Sequence, residues 1–225
     1  MGGLVVRPAG RRKEILESFI RHVAEYGYER TNLGDIAKEL GMSKGTIVHH
    51  FGTKAQMLCE LEENYMNHQL DAVRSMWERL AKPQERIAAI VFASAILQVV
   101  ARDATVASQR EVVQLADDPG MQEVRKLRRE LQRMTEEELR RGIDEGLFRP
   151  VDVEVVSLQL WGSVQWMWVW FQPGGRHTPE AIGSTFVDVL LGGLLVDRFG
   201  LSALSDPNGE VATVVRETFA ADAAK

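Results

Sequence analysis

The stretch GMSKGTIVHHFGTKAQML, residues 41–58, decides the fold. It places small residues, a lysine and two histidines on one short segment, directly before a much longer helical pattern. Gly41 is expected to end the preceding helix, and Ser43 is expected to cap the next one. Thr53 and Gln56 form a Thr-x-x-Gln capping box, which predicts the start of a long helix reaching about residue 80. A short capped helix therefore stands between a glycine turn and a long helix.

The residues before this stretch complete the unit. Apolar residues recur at spacings of three and four over residues 11–26, which predicts an amphipathic helix that Gly27 ends. Asn32 is placed to cap a second short helix, which runs up to Gly41. Two short helices joined by a turn containing glycine have the spacing of a helix-turn-helix, whose second helix lies in the major groove of DNA.

The outward residues of the second short helix are the candidate DNA contacts. Ala37, Leu40, Ile47 and Phe51 can hold the two short helices against the first one. The outer faces are then left with Ser43, Lys44, Thr46, Val48, His49 and His50, and Gly45 removes a side chain where a close approach is needed. Lys44 can serve a guanine edge or a phosphate, Thr46 can touch a base, and Lys54 suits a phosphate clamp. The alternative is that Lys44 and Lys54 are solvated and that His50 packs at a helix end.

The rest of the chain repeats the helical pattern, with helices predicted over about 83–101, 103–117, 121–145, 152–170 and 178–198. The predicted fold class is all-α, with an N-terminal three-helix helix-turn-helix domain and a C-terminal helical ligand-binding and dimerisation domain. The predicted domains are a flexible tail over 1–10, the DNA-binding domain over 11–57, the helical domain over 58–205, and a C-terminal tail over 206–225 that holds at most one short helix.

Composition narrows the function classes. The single cysteine, Cys59, allows no intramolecular disulfide, as expected of a cytoplasmic protein. No uninterrupted run of about 18 apolar residues predicts a membrane span, so no membrane partner is expected. Residues 1–58 carry a formal charge of +3 and the remainder −8, which together give −5. A basic N-terminal segment followed by an acidic remainder is expected when only the N-terminal segment binds a polyanion.

Enzyme motifs are missing from the sequence. It contains no glycine-rich phosphate loop, no Gly-x-Ser-x-Gly elbow and no His/Cys set with metal-ligand spacing. His49 and His50 are adjacent on a helix and point in different directions, so they predict no shared metal. The chain is therefore expected to be no enzyme and to need no cofactor.

Residues 11–58 resemble the DNA-binding domain of the TetR family of transcriptional repressors. The resemblance rests on Tyr26-Gly27-Tyr28, on TNLGDIA at 31–37, on GMSKGTI at 41–47, on His50-Phe51 and on Thr53-Lys54. It implies that Thr31 and Asn32 start the first short helix at the phosphate backbone, where the family usually has two threonines. Val48 stands where the family most often has a tyrosine, so a hydrogen bond is lost there and His49 takes over part of the role. His50 and Lys54 match positions that contact the DNA backbone.

The family also implies a homodimer, which pairs through the last two long helices. The sequence supports this independently, because FVDVLLGGLLV at 186–196 is apolar on nearly all sides and must be buried on all sides. A buried central helix within one subunit is the alternative. The predicted dimer residues are Trp166, Trp170, Phe186, Val189, Leu190 and Gly193.

Four of the five tryptophans lie between residues 157 and 171, and they predict a ligand cavity beside the dimer face. Polar groups on otherwise apolar helices can orient a ligand in such a cavity. The predicted ligand residues are Gln109, Arg110, Trp161, Gln165 and Trp168. Core packing is the alternative for each tryptophan, and a surface ion pair is the alternative for Arg110.

Residues 109–194 are similar to the ligand domains of TetR-type repressors of sterol-fragment and fatty-acid breakdown. The similarity rests on GIDEGLFRPVD at 142–152 and WFQPGGRHTPE at 170–180, and it implies an acyl-CoA or other amphipathic effector. The expected partners are double-stranded DNA, a second copy of the chain and a small-molecule effector. The resulting hypothesis is a dimeric, ligand-responsive repressor of a palindromic operator. A multidrug-sensing repressor of an efflux gene and a dimeric scaffold without DNA binding are the alternatives.

Overall fold

The computed structural model describes residues 8–111 and 118–223. The all-α prediction is confirmed: these residues form twelve α-helices, and their β-structure is a single bridge between Phe148 and Leu195. The helices are α1 (Pro8–Tyr26), α2 (Leu33–Glu39), α3 (Lys44–Phe51), α4 (Lys54–Arg79), α5 (Pro83–Val100), α6 (Arg102–Glu111), α7 (Gln122–Asp144), α8 (Val153–Gln165), α9 (Met167–Trp170), α10 (Pro179–Leu194), α11 (Leu201–Ser205) and α12 (Glu210–Ala223), with a 3-10 turn at Pro119–Met121 before α7.

The chain divides into two compact units, and the division differs from the predicted boundary after residue 57. The first unit comprises the described parts of residues 1–66 and 103–126, and the second comprises 67–102 and the described part of 127–225. Residues 8–10 of the predicted N-terminal tail already belong to α1. The first unit therefore contains α6 and the start of α7 as well as the helix-turn-helix.

Interlocking apolar faces build the core of the first unit. Ile15, Phe19 and Val23 of α1 are completely buried, as the spacing of three and four predicts, whereas Tyr26 is 42% exposed. Ile36 of α2 and Ile47 of α3 are also completely buried. The turn between α2 and α3 contains Gly41 at φ +63, a left-handed conformation that glycine adopts without a steric cost.

The second unit is built around α5. Most of α5 is buried, and α8, α9, α10, α11 and α12 contact it. This helix is long and apolar enough to cross a membrane by composition, but 67% of it is buried inside the protein, as in a core helix. Gly183 lets α10 approach closely, because a Cβ atom there would lie 2.6 Å from Cδ1 of Phe92 on α5.

Two helices end earlier than predicted. The helix that starts at Asp152 was expected to reach Trp170, but α8 stops at Gln165 and the short α9 follows. The helix from Thr178 was expected to reach about residue 198, but α10 stops at Leu194. The chain then turns extended at Leu195 to pair with Phe148, and the Val196 N–H donates to the Leu147 carbonyl at 3.0 Å. Backbone pairing with a distant segment ends this helix.

The predicted C-terminal tail over 206–225 is corrected, because most of it is structured. Residues 210–223 form α12, a helix of 14 residues. Val211, Val215 and Phe219 of α12 are at most 5% exposed, and α12 contacts α5. These apolar residues recur every four positions, which gives the helix a buried face. The helix predicted from residue 103 is α6, which is described up to Glu111; the rest of the predicted helix, 112–117, lies outside the described residues.

Candidate DNA interface and effector site

Side-chain caps fix the start of each short helix in the first unit. Asn32 accepts from the Gly34 N–H at 2.7 Å, and Ser43 accepts from the Thr46 N–H at 3.1 Å. The capping box that opens α4 is reciprocal: the Thr53 N–H donates to Gln56 Oε1 at 2.8 Å, and the Gln56 N–H donates to Thr53 Oγ1 at 3.1 Å. Each cap occupies donors that would otherwise be unpaired. The local sequence therefore sets where α3 begins.

The outer face of α3 contains the residues that were expected there. Lys44, Gly45 and His49 are exposed, Val48 is 44% exposed, and Thr46 and His50 are half-buried. A Cβ atom at Gly45 would lie 3.5 Å from Ser43 Oγ, an ordinary contact, so packing within the subunit does not require glycine at this position. The result is a low, polar helix face of small side chains with a lysine at its N-terminal end.

Two of the predicted phosphate contacts have structural roles in this conformation. Thr31 is 3% exposed, and its hydroxyl donates to the Gly27 carbonyl at 2.9 Å. The Lys54 amine donates to the carbonyls of Tyr28 and Thr31, at 2.8 and 3.1 Å, and lies 4.3 Å from the centre of the Tyr28 ring. The Lys54 amine therefore ties the loop after α1 to the start of α4, and its contact with a phosphate stays a prediction.

A polar cluster joins α1 to the end of α2. Glu39 accepts from Arg21 at 2.8 Å and from the Ser18 hydroxyl at 3.1 Å, and it lies 2.8 Å from His22 Nε2. The hydrogen bond with His22, followed by the one from Arg21, holds the pKa of the Glu39 carboxyl below its usual range. This cluster fixes the orientation of α2, and hence of the turn before α3, against α1.

Arg110, a predicted ligand residue of α6, has hydrogen-bond partners on α1, and its contact with a ligand stays a prediction. Arg110 donates to the carbonyls of Ala24 and Glu25, at 3.1 and 3.4 Å, at the C-terminal end of α1. A cation at this end satisfies carbonyls that the helix leaves unpaired. Glu111 accepts from the Tyr28 N–H at 2.9 Å, and Gln109 is half-buried in the same unit. Arg110 and Glu111 of α6 therefore clasp the end of α1 and the loop after it.

The predicted ligand residues Trp161, Gln165 and Trp168 all lie in the second unit. Trp161 is half-buried and lines a small cavity between α4, α5, α8 and α12. Trp168 is half-buried, and Gln165 is exposed. Trp161 of the predicted set therefore lines a cavity of the second unit.

The predicted dimer residues, by contrast, share one surface. Trp166, Phe186, Val189, Leu190 and Gly193 line an open groove of about 730 Å³ between α8 and α10. Trp166 is 61% exposed and Val189 is 70% exposed. Trp170 lies beside them, with its ring 6.4 Å from that of Phe186.

The exposed apolar face of the second unit is larger than predicted. Val155, Leu158 and Val169 are 48% to 58% exposed, and none of them was predicted to be at an interface. The sequence pattern predicts this face, because positions 155, 158, 162, 166 and 169 recur at spacings of three and four and so lie on one side of a helix. An apolar face of this kind on a soluble protein marks an interaction surface.

Comparisons with known proteins agree with this architecture. The sequence model described as "Bacterial regulatory proteins, tetR family" matches residues 15–61, and the model described as "Tetracyclin repressor-like, C-terminal domain" matches residues 80–194. The chain belongs to the TetR family. The predicted resemblance is thereby confirmed, and the chain is a transcriptional regulator and not an enzyme.

Relatives extend the TetR match over most of the chain. The repressor KstR2 of Mycobacterium tuberculosis is 31% identical over 189 residues, which cover 82% of this chain and 92% of KstR2. The regulator HbdR of an Aromatoleum strain is 27% identical, over 71% of this chain and 72% of HbdR.

Solved structures of TetR-type regulators have the same fold. The structure of the ketosteroid transcriptional regulator KstR2 of Mycobacterium tuberculosis superposes with a TM-score of 0.77 at 29% identity, over 83% of this chain and 96% of that one. AibR in complex with isovaleryl coenzyme A and operator DNA superposes with a TM-score of 0.74 at 28% identity, over 80% and 98%.

Proposed function

We propose that this TetR-family regulator is a dimeric repressor that places α3 of each subunit in the major groove of a palindromic operator. The exposed face of α3 supports the proposal most strongly. A helix must lie close to the base edges to read them, and the small residues Gly45 and Thr46 permit that approach. Lys44 is the base-reading or phosphate-binding cation at the N-terminal end of α3, and the caps at Asn32 and Ser43 bring helix N-termini near phosphates.

The groove between α8 and α10 supports the dimer. Pairing two such faces about a two-fold axis buries Trp166, Val189 and their neighbours in a four-helix interface. Gly193 fits this arrangement, because a Cβ atom there would meet nothing within 4 Å in its own subunit. Nothing in its own subunit requires a glycine at position 193, so we propose that Gly193 allows a helix of the partner subunit to approach closely.

The effector we propose is a small amphipathic molecule of the acyl-CoA class. AibR, at 28% identity, is described in complex with isovaleryl coenzyme A and operator DNA. An effector shifts DNA affinity only through its differential affinity for two arrangements of the protein, by a coupling of about 1–3 kcal/mol. We propose the clasp of Arg110 and Glu111 on the end of α1 and its loop as the contact through which that coupling reaches α1.

Base reading by Lys44 and Thr46 is tested by selection from random duplexes, followed by titration of the enriched sequence. Lys44→Ala and Thr46→Ala should each lose about 1–3 kcal/mol of binding and relax the preferred base at one position. Lys126→Ala is the matched control, because it removes an exposed lysine from α7 and leaves α3 intact. If Lys44→Ala and Thr46→Ala keep full affinity and an unchanged sequence preference, α3 does not read the operator.

A further inference from the structure

Apolar packing holds α12 against the other helices of the second unit. Phe219 is 5% exposed, and its ring centre lies 5.8 Å from that of His68 on α4. Between α12 and α4, Arg79 forms an exposed ion pair with Glu217 at 2.7 Å, and Nε2 of the half-buried His68 lies 3.6 Å from the carboxylate of the half-buried Asp222. Exposed ion pairs contribute little to stability. Moreover, α12 lies after residue 194, where the match to the family's C-terminal domain ends.

Phe219 lines a small cavity of the second unit. The cavity is lined by residues of α4 and α5, by Trp161 of α8 and by Phe219, and its volume is about 10 Å³. That is room for one water molecule at most. A small apolar molecule such as benzene needs a cavity of about 150 Å³. An apolar group can therefore enter only if a lining side chain leaves, and Phe219 is the lining residue that α12 contributes.

Trp161, which lines this cavity, contains a buried hydrogen-bond donor without a partner. Within the described residues, Nε1 of Trp161 and Oγ of Ser157 are buried and have no hydrogen-bond partner. The two residues are one turn apart on α8, so their side chains lie on the same face. Ser157 is completely buried. Buried donors are normally paired, and an acyl carbonyl oxygen would accept from the indole N–H.

We propose that Phe219 is a built-in plug of the effector site. An acyl chain displaces the Phe219 ring from the space between α4, α5 and α8, and its carbonyl oxygen accepts a hydrogen bond from Nε1 of Trp161. The proposal rests on the acyl effector proposed above, and it assigns to α12 the control of access to that site. In the absence of effector, Phe219 occupies the position of the acyl chain and keeps the core closed.

Removing the plug tests the proposal. Full-length Phe219→Ala should bind octanoyl-CoA about tenfold more tightly than the wild type in calorimetric titration, because the acyl chain no longer has to expel the ring. Val215→Ala is the matched control: Val215 is completely buried on the same helix but does not line the cavity. Its affinity should stay within about twofold of the wild type. Phe219→Leu, which should also bind more tightly, replaces Phe219→Ala if the alanine variant does not fold.

A second comparison tests the hydrogen bond from Trp161. The wild type should prefer octanoyl-CoA over S-octyl-CoA, a thioether without the carbonyl oxygen, by about fivefold. Trp161→Phe keeps an aromatic ring but has no N–H donor, so it should bind the two compounds equally. A preference for the thioester that survives in Trp161→Phe would overturn the assignment of Nε1 as the donor.

Operator binding separates the failure of this proposal from that of the proposed function. If neither the wild type nor any variant enriches a duplex, the proposed repressor function itself is wrong. If the wild type binds DNA and the Phe219 variants bind octanoyl-CoA no better than Val215→Ala does, the plug is wrong while the repressor stands. The absence of octanoyl-CoA binding in every DNA-binding variant overturns the plug too, because an emptied cavity should accept the chain.

Discussion

A charge on the exposed face of α10 should separate the two subunits of the proposed dimer. Val189 is the substitution site, because it lines the groove between α8 and α10 and is 70% exposed in the single subunit. Val189→Asp leaves the fold of the subunit intact, since an exposed position accepts a carboxylate without an internal penalty. In a dimer, the same carboxylate is buried against apolar residues such as Trp166.

The magnitude follows from the exposure of the valine. Complete burial of a valine side chain stabilises by about 1.5–3 kcal/mol. Because Val189 is 70% exposed in the single subunit, its burial in the dimer should contribute about 1–2 kcal/mol per subunit. Burying an unpaired carboxylate adds at least about 2 kcal/mol, as charge desolvation or as the cost of protonation. A two-fold interface contains each substitution twice. The dimer should therefore lose about 6 kcal/mol, a rise of about 10⁴ in the dissociation constant.

Analytical ultracentrifugation at micromolar concentration measures the effect, with circular dichroism to check that the subunit stays folded. Val100→Asp is the matched control: Val100 is a valine of α5 that is 56% exposed and does not line the groove. The control should sediment as the wild type does, and Val189→Asp should sediment as a monomer. If Val189→Asp remains a dimer with an unchanged dissociation constant, α10 does not form the interface.

Three further predictions concern the stability of the fold. Hydrogen bonds lower the pKa of the Glu39 carboxyl. Ionised Glu39 therefore stabilises the fold above the usual carboxyl pKa of about 4.3, and this stabilisation is lost as the pH falls through the lowered pKa. As the pH falls through this range, the melting temperature of Glu39→Gln should decrease less than that of the wild type. Lys54→Met removes the amine from its carbonyls, so it should destabilise the first unit by about 1–3 kcal/mol in denaturant titration, whereas an unchanged midpoint would rule out the tie. Gly142→Ala places a Cβ atom 2.1 Å from Cδ2 of the buried Phe148 and should cost about 1–3 kcal/mol in thermal unfolding, whereas Gly200→Ala, with open space around it, should leave stability nearly unchanged.

The helix-turn-helix could be predicted from the sequence because its signals are local. Asn32, Gly41, Ser43 and the pair of Thr53 and Gln56 each act within about four residues of their own position, and the structure places each cap or turn where the sequence predicts it. Cap chemistry depends on neighbours along the chain, so a single sequence contains all of it.

The errors arose where distant residues decide. The segment WMWVW at 166–170 contains no helix breaker, so nothing in it predicts that α8 stops at Gln165. The end of α10 depends on the pairing of Leu195 with Phe148, which is 47 residues away. The hydrogen-bond partners of Arg110, Ala24 and Glu25, are about 85 positions earlier, so the sequence around Arg110 does not predict them. Sequence periodicity shows which face of a helix is apolar, but it does not show which distant residues pack against that face.

The interference of guanine methylation with binding tests the central claim most directly, because N7 of guanine lies in the major groove. A duplex enriched by the protein is methylated at N7, and the methylated positions that prevent binding are mapped on both strands. Two copies of α3 in successive major grooves predict two symmetric patches centred about 10 base pairs, or a multiple of that, apart. Both patches should disappear in the Val189→Asp monomer at concentrations that saturate the wild type. A single asymmetric patch, or binding that N7 methylation leaves unchanged, would contradict the account.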